Sequence, residues 1–100
     1  MSERKLAVQV QLKDNVASIF AEVAAGDTVE VMARDGSMEA IAVHEDIPYG
    51  HKVALADIPR GETVWKYGES IGIATQDIKR GDYVHIHNLD SARARGDWKE

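Results

Sequence analysis

The chain has 100 residues and a formal charge of −5, and it contains no cysteine. This length supports one domain with one core. The acidic balance argues against sequence-independent nucleic-acid binding, and the lack of cysteine excludes disulfides, thiolate metal sites and cysteine nucleophiles. No apolar run approaches a membrane span, and the first residues lack the hydrophobic segment of a signal peptide, so we expect a cytoplasmic protein.

The N-terminal half alternates strand patterns with turn chemistry. Residues 5–10 alternate apolar and polar side chains, as a half-buried strand does. Residues 16–25 place apolar side chains at helical spacing but are rich in β-branched residues, so a short helix and a strand both fit. Residues 28–33 alternate again, 34–37 predict a turn, and 38–43 are expected to return as the partner strand of a hairpin.

A phrase made of an acid, a β-branched residue, two spacers, glycine, two spacers and valine occurs four times. The copies occupy residues 22–29, 46–53, 57–64 and 77–84. Each predicts a tight, 3₁₀-like turn closed by a glycine with positive φ and followed by an inward strand residue. We expect the acid to cap backbone N–H groups of its turn, for about 1 kcal/mol. We interpret the four phrases, hereafter corners 1 to 4, as scaffold.

The C-terminal half predicts only short strands, at 51–56, 62–67, 70–75 and 82–87. No helix of ordinary length fits between the corners, so we expect a compact, strongly bent all-β domain. The domain is assigned to residues 1–89, and residues 90–100 are expected to be a flexible or docking tail. Trp98 in that tail is interpreted either as a contact with another subunit or as simple packing.

Two histidines near the end of corner 4 form a candidate half of a metal site. On a strand, His85 and His87 would share one face, and Ile86 would lie on the opposite, buried face. Two imidazoles followed by the Asn88 amide suit a metal ion, although surface histidines that are merely solvated give the same pattern.

Further candidates follow corner 2. His51 and Lys52 lie at its exit and would point toward a groove shared with His85, where Lys52 could bind a carboxylate or simply be solvated. The paired glycines Gly68 and Gly72 indicate a close approach of another backbone or a ligand, or a plain turn. No complete catalytic motif is present in the sequence, so a full active site is expected to need a partner.

Five segments, in order, resemble the N-terminal region of the altronate/galactarate dehydratase family. They are GHKVAL at 50–55, DIPRG at 57–61, KYG at 66–68, IGIA at 71–74 and HIHN at 85–88, and DNVA at 14–17 is similar to the opening of that region. The resemblance covers roughly residues 6–89. It identifies a SAF domain, a class similar to type III antifreeze proteins and to the C-terminal domain of sialic acid synthases. The implied fold is an all-β β-clip.

The resemblance also implies a chemistry. Members of the family dehydrate sugar acids or split related 2-hydroxy acids such as sulfolactate, usually with a divalent metal, so Fe(II), or else Mn(II), is the expected cofactor. In some members this region is fused to a large catalytic portion, and in others it is a small subunit. Because this sequence stops at Glu100, we expect a small subunit that is inactive without its large subunit.

Carried onto this sequence, the resemblance makes His85 and His87 the expected catalytic residues, as metal ligands or proton-transfer groups. His51, Lys52 and Asn88 are the expected substrate-binding residues. The expected partners are a large dehydratase subunit and a sugar acid or related 2-hydroxy acid, with no nucleic acid or membrane, and self-association of the isolated chain is left open. The alternative is a non-catalytic module that binds a sugar acid or closes a site owned by its partner. An ice-binding surface rests on fold analogy alone, and the 29% charged residues speak against it.

Overall fold

The computed structural model describes residues 5–91, which form nine short strands and no α-helix. The strands are β1 (Leu6–Val8), β2 (Val16–Ile19), β3 (Thr28–Met32), β4 (Met38–Ala42), β5 (Lys52–Ala54), β6 (Thr63–Lys66), β7 (Glu69–Ala74), β8 (Tyr83–Val84) and β9 (Leu89–Asp90). The all-β class is confirmed and is consistent with the expected β-clip. Within residues 5–91 no helix could span a membrane. Trp98 and nearly all of the expected tail lie outside the described residues.

The strands form two sheets. Six lie in the order β4-β3-β1-β2-β5-β8 and three in the order β6-β7-β9. Every pairing is antiparallel except that of β1 with β3. The β3–β4 hairpin is confirmed, with Thr28 opposite Ala42 and Met32 opposite Met38. The segment that fitted a helix or a strand is the strand β2, whose four residues are all buried.

Two buried apolar clusters form the core. The first lies under the six-stranded sheet and consists of Ala7, Ala17, Ile19, Val23, Val29, Val31, Ile41, Val43, Ile47 and Val53. The second joins the two sheets and consists of Val16, Ala54, Ile58, Val64, Ala74, Ile78, Val84 and Leu89. The β-branched residue and the valine of all four corners belong to these clusters, which agrees with the scaffold interpretation.

The corners associate in pairs. Each turn closes with a hydrogen bond between residues three apart, such as Asp27 N–H to the Ala24 carbonyl at 2.9 Å. The corner glycines have φ between 84° and 95°, as predicted. An antiparallel bridge joins Val23 of corner 1 to Ile47 of corner 2. A second bridge joins the equivalent isoleucines of corners 3 and 4.

Three of the four corner acids cap the partner's turn. The backbone N–H of Arg80 in corner 4 donates to Asp57 of corner 3 at 2.9 Å. In return, Arg60 N–H donates to Asp77 at 3.0 Å, and Asp46 of corner 2 accepts an N–H from corner 1. The expectation that the acid caps its own turn is therefore wrong for Asp46, Asp57 and Asp77, because the bridge places the partner's N–H groups beside each carboxylate.

Two adjacent polar residues attach the β6–β7 hairpin to the loop between β1 and β2. The buried carboxylate of Asp14 accepts the N–H groups of Gln11, Tyr67 and Gly68 at 3.1, 2.9 and 2.8 Å. The neighbouring Asn15 accepts the Trp65 N–H at 2.7 Å and donates to the Thr63 carbonyl at 3.0 Å. These bonds fix the position of the hairpin tip relative to the six-stranded sheet.

The strand predicted at 82–87 ends early. β8 stops at Val84, and the chain turns at residues 85–88, where Asn88 N–H donates to the His85 carbonyl at 3.0 Å. Ile86 is 80% exposed. The expectation that Ile86 is buried is wrong, because strand alternation does not continue through a turn. β9 follows at once and pairs with β7, which was not predicted.

Candidate functional site

Three of the four histidines gather around one tyrosine at the end of the β5–β8 pair. In the antiparallel register Lys52 lies opposite Val84, which places His51 opposite His85. The rings of His51 and His85 are 4.8 Å apart between centroids. Tyr83, two residues before His85, contributes its ring to the same surface. We call His51, Tyr83, His85 and His87 the histidine cluster.

Tyr83 is the centre of the histidine cluster. Its ring lies almost parallel to that of His85, with centroids 5.6 Å apart, and its centroid is 5.4 Å from that of His87. The Tyr83 hydroxyl and Nδ1 of His51 share a hydrogen bond of 2.7 Å. This bond restrains the His51 ring and leaves its Nε2 as the nitrogen not held by Tyr83.

Asn88 holds the turn that carries His85 and His87. Its side chain is 4% exposed. The Oδ1 atom accepts the His85 N–H at 3.0 Å, and Nδ2 donates to the Tyr83 carbonyl at 2.9 Å. Both ends of the amide are therefore bonded to backbone. This geometry gives Asn88 a positioning role, and its expected contact with substrate stays a prediction.

His85 has a lowered pKa. Loss of solvent around the ring lowers it first, and the nearby charges of His51, Lys52 and His87 lower it further. A lowered pKa favours the neutral imidazole of His85 over the charged form. A neutral imidazole can accept a proton or bind a metal ion.

Lys52 lies outside the histidine cluster. Strand alternation places its side chain on the face of β5 opposite His51, in the row of Ser18 on β2 and Val84 on β8. Burial lowers its pKa, and the charge of Lys66 lowers it further. The structure therefore brings His51 together with His85 and His87, while Lys52 interacts with His85 only through its charge.

The described residues of this chain do not form a complete metal site. Within residues 5–91, no three histidine or carboxylate side chains are placed to hold one ion. Metal sites of the kind expected need at least three protein ligands, and the histidine cluster contains no carboxylate. A complete centre therefore requires ligands from elsewhere.

Sequence reasoning missed Tyr83. The spacing of two that singled out His85 and His87 also places Tyr83 two residues before His85, so extending the pattern by one step would have found it. The fourth histidine, His44, lies elsewhere and shares a hydrogen bond of 2.8 Å with Asp82, next to the turn of corner 4. The cluster offers imidazoles for proton transfer beside a phenol, on a surface that one small domain leaves open.

Comparison with known proteins identifies related sequences. The altronate/galactarate dehydratase SAF domain model matches residues 5–92. The altronate dehydratase of Escherichia coli (strain K12) is 36% identical over 100 residues, which is 93% of this chain and 19% of that protein. The altronate dehydratase of Bacillus subtilis (strain 168) is 33% identical over 84 residues, or 84% of this chain and 16% of that protein. The chain thus spans less than a fifth of these two relatives.

A shorter relative is matched over most of its own length. The (2R)-sulfolactate sulfo-lyase subunit alpha of Paracoccus pantotrophus is 43% identical over 63 residues, which is 63% of this chain and 94% of that subunit. The domain is therefore a small part of some relatives and nearly the whole of another.

Proposed function

The chain belongs to the altronate/galactarate dehydratase SAF domain family, and on this premise we propose that it is the small subunit of a sugar-acid dehydratase. The histidine cluster forms one wall of the active site, and a larger catalytic polypeptide supplies the rest. The observation that carries the proposal is the gathering of three histidines around Tyr83 on an open surface. No complete metal site accompanies them in the described residues.

The relatives support assignment to a small subunit. The altronate dehydratases carry the matching region as less than a fifth of their length. In the sulfo-lyase relative the match covers 94% of a chain named subunit alpha. A domain of this kind can therefore serve as one subunit of a lyase, and the substrate class by analogy is a sugar acid or a related 2-hydroxy acid. The cytoplasmic location expected from the sequence stays a prediction.

The chemistry assigns a role to each group. Removing water from a 2,3-dihydroxy acid requires loss of the proton next to the carboxylate, stabilisation of the resulting enediolate and protonation of the departing hydroxyl. We assign proton transfer to His85, whose neutral ring can accept a proton at pH 7, and to His87 beside it. The Tyr83 hydroxyl orients His51 toward the substrate. Lys52, which lies on the opposite face of β5, attracts the substrate carboxylate through its charge alone.

A divalent metal, Fe(II) or Mn(II), fits this arrangement only with help from the larger polypeptide. Imidazole nitrogen suits iron, and His85 is already in the neutral form that binds metal. His85 and His87 would supply two ligands, and the remaining ligands would come from the partner. When bound, the ion would polarise the carboxylate and hydroxyl oxygens of the substrate.

The alternative function is a non-catalytic module that binds a sugar acid or closes a site owned by its partner. The incomplete ligand set within residues 5–91 favours this alternative. The two functions differ in kinetics. A residue that acts on the reacting atoms changes kcat, whereas a recognition or closing module chiefly changes KM.

The test begins with the partner. The tagged chain is purified from its native cell, the co-purifying polypeptide is identified, and dehydration of D-altronate and galactarate and cleavage of (2R)-sulfolactate are measured on the complex. We expect His85→Ala and His87→Ala each to lower kcat by about a hundredfold or more. The matched control is His44→Ala, because His44 is exposed and pairs with Asp82 outside the histidine cluster.

The kinetic results distinguish a shared active site from a binding module. A loss in kcat confined to the two cluster variants supports a shared active site. An unchanged kcat with a raised KM supports the binding module. Full turnover by the larger polypeptide alone, or equal losses in the His44→Ala control, would refute a catalytic role for the cluster.

A further inference from the structure

A second group of polar side chains lies on the other face of β5. Lys52 is the cross-strand partner of Ser18 on β2. The β6–β7 hairpin brings Lys66 and Tyr67 to the same place, where Lys66 affects the pKa of Lys52, and Lys66 and Ser18 both affect that of Tyr67. The Lys66 ammonium lies 4.0 Å from the centroid of the Tyr67 ring. We call these four residues the lysine cluster.

The lysine cluster contains two ammonium groups. Within residues 5–91, neither Lys52 nor Lys66 forms an ion pair with a carboxylate. Asp14 lies beside Tyr67, and its carboxylate already accepts three backbone N–H groups. Two ammonium groups near each other repel, and burial of one of them adds a desolvation cost. An anion bound between the two ammonium groups would reduce this repulsion.

The backbone at Tyr67 is strained. Its φ is 58°, and it is the only residue other than glycine with positive φ in the described part of the chain. A tyrosine in this conformation costs about 1 kcal/mol or more. The bonds from Asp14 to the N–H groups of Tyr67 and Gly68 hold it there. The backbone conformation held by these bonds places the phenol beside Lys66 and Ser18.

The Lys66 ammonium and the Ser18 hydroxyl lie near the Tyr67 phenol. The Tyr67 pKa is lowered, first by the hydrogen bond with Lys66, then by the charge of Lys66 and by the hydrogen bond with Ser18. The phenol therefore sits among groups that stabilise negative charge. Two ammonium groups and two hydroxyls can donate together to the oxygens of one carboxylate or sulfonate.

We infer that Ser18, Lys52, Lys66 and Tyr67 form a binding subsite for the oxyanion group of a small organic acid. Asp14 is its positioning residue, because it fixes the hairpin tip that carries Lys66 and Tyr67. The inference rests on the proposed function in its choice of ligand, a hydroxy acid with a terminal carboxylate or sulfonate. The inference gives the acid-binding role expected of Lys52 to a set of four donors, which lie on the face of β5 opposite His51.

The experiment is an NMR titration of the full chain, recording backbone amide shifts, with galactarate and (2R)-sulfolactate as separate probes. Sodium chloride at matched ionic strength is the blank. We expect saturable shifts at Ser18, Lys52 and the hairpin tip with at least one probe. Lys66→Met and Tyr67→Phe should each weaken the affinity by about tenfold, as expected for loss of one donor to a charged group.

The matched control is Lys13→Met. Lys13 also lies over an aromatic ring, at 4.2 Å from the Trp65 centroid, but it does not belong to the lysine cluster. Its removal lowers the net positive charge equally and should leave the affinity unchanged. Saturable shifts with galactarate alone assign a carboxylate subsite, and shifts with (2R)-sulfolactate alone assign a sulfonate subsite. No saturable shift with either probe, or an equal loss in the Lys13→Met control, overturns the inference.

The subsite at the lysine cluster and the proposed dehydratase function can be refuted independently of each other. The lysine cluster is tested by binding to the chain itself, whereas the proposed function is tested by turnover of the complex with His85→Ala. In that complex, Lys66→Met should raise KM by about tenfold and leave kcat within about twofold of the unmodified complex. Binding without any turnover would retain the subsite and refute the dehydratase proposal.

Discussion

Removal of the Asp14 carboxylate tests how the two sheets are joined. Asp14→Ala deprives the backbone N–H groups of Gln11, Tyr67 and Gly68 of their acceptor. Each lost bond to a charged acceptor, in a position that is partly or fully buried, costs about 1 to 2 kcal/mol. The sum is about 3 to 6 kcal/mol. The strained backbone at Tyr67 then loses its restraint, so the hairpin tip should rearrange.

This cost is a large fraction of the total stability. A chain of this length has a free energy of unfolding of about 5 to 15 kcal/mol. For such a small domain each kcal/mol lowers Tm by about 4 to 8 °C, so we expect Asp14→Ala to melt at least about 12 °C below the unmodified chain. Urea denaturation, followed by the fluorescence of the two tryptophans, measures the free energy directly.

The matched control is Asp57→Ala. Asp57 also accepts a backbone N–H across the chain, from Arg80, but it makes one such bond at an exposed position. We expect a cost of about 0.5 to 1 kcal/mol. If Asp14→Ala does not fold, Asp14→Asn, which keeps one acceptor oxygen, should give an intermediate cost. Equal costs for the Asp14 and Asp57 variants would refute the conclusion that Asp14 joins the hairpin to the larger sheet.

Three further predictions concern single side chains. Gly81→Ala should lower the free energy of unfolding, measured by urea denaturation, by at least about 1 kcal/mol more than Gly26→Ala does. Both glycines have positive φ, but of the two only Gly81 would place its new Cβ against backbone, at the Ala42 carbonyl. Equal losses in the two variants would refute this prediction. Lys52→Met should melt at or above the unmodified chain at pH 7, because burial lowers the folded-state pKa of Lys52 below its ordinary 10.5. Because the folded state disfavours the charged lysine, the stability of the unmodified chain rises as pH increases through the folded-state pKa of Lys52, and the advantage of the variant should shrink by pH 10. A Tm of Lys52→Met well below that of the unmodified chain at pH 7 would contradict this prediction. Lys66→Met should raise the Tyr67 pKa, read from its ring carbon shift, since the bond with Lys66 and its charge lower it; no change would show that Lys66 does not reach the phenol.

The corners illustrate how far local pattern predicts structure. An acid, a β-branched residue and a glycine at fixed spacing determine a turn through local sterics, so the positive φ of the four glycines follows from the phrase itself. The pairing of corner 1 with corner 2 and of corner 3 with corner 4 cannot be predicted from the phrase. It depends on bridges such as Ile58 with Ile78, which form only when the whole sheet folds.

In the candidate site, too, some features could be predicted from local sequence and others could not. His51, His85 and His87 could be selected from residue type and position, and the structure brings them together. The reason expected for His85 and His87, strand alternation, does not hold beyond Val84, and a turn bonded to Asn88 carries them instead. The polar bonds of Asp14 could not be predicted either, because two of its three donors lie 53 and 54 residues away in sequence.

The position of Lys52 relates the two clusters to each other. His51 and Lys52 are adjacent in sequence, so β5 directs one side chain to the histidine cluster and the next to the lysine cluster. The charge of Lys52 still contributes to the lowered pKa of His85. The two clusters therefore lie on opposite sides of the chain at the start of β5, and within the described residues the charge of Lys52 is the interaction that relates one to the other.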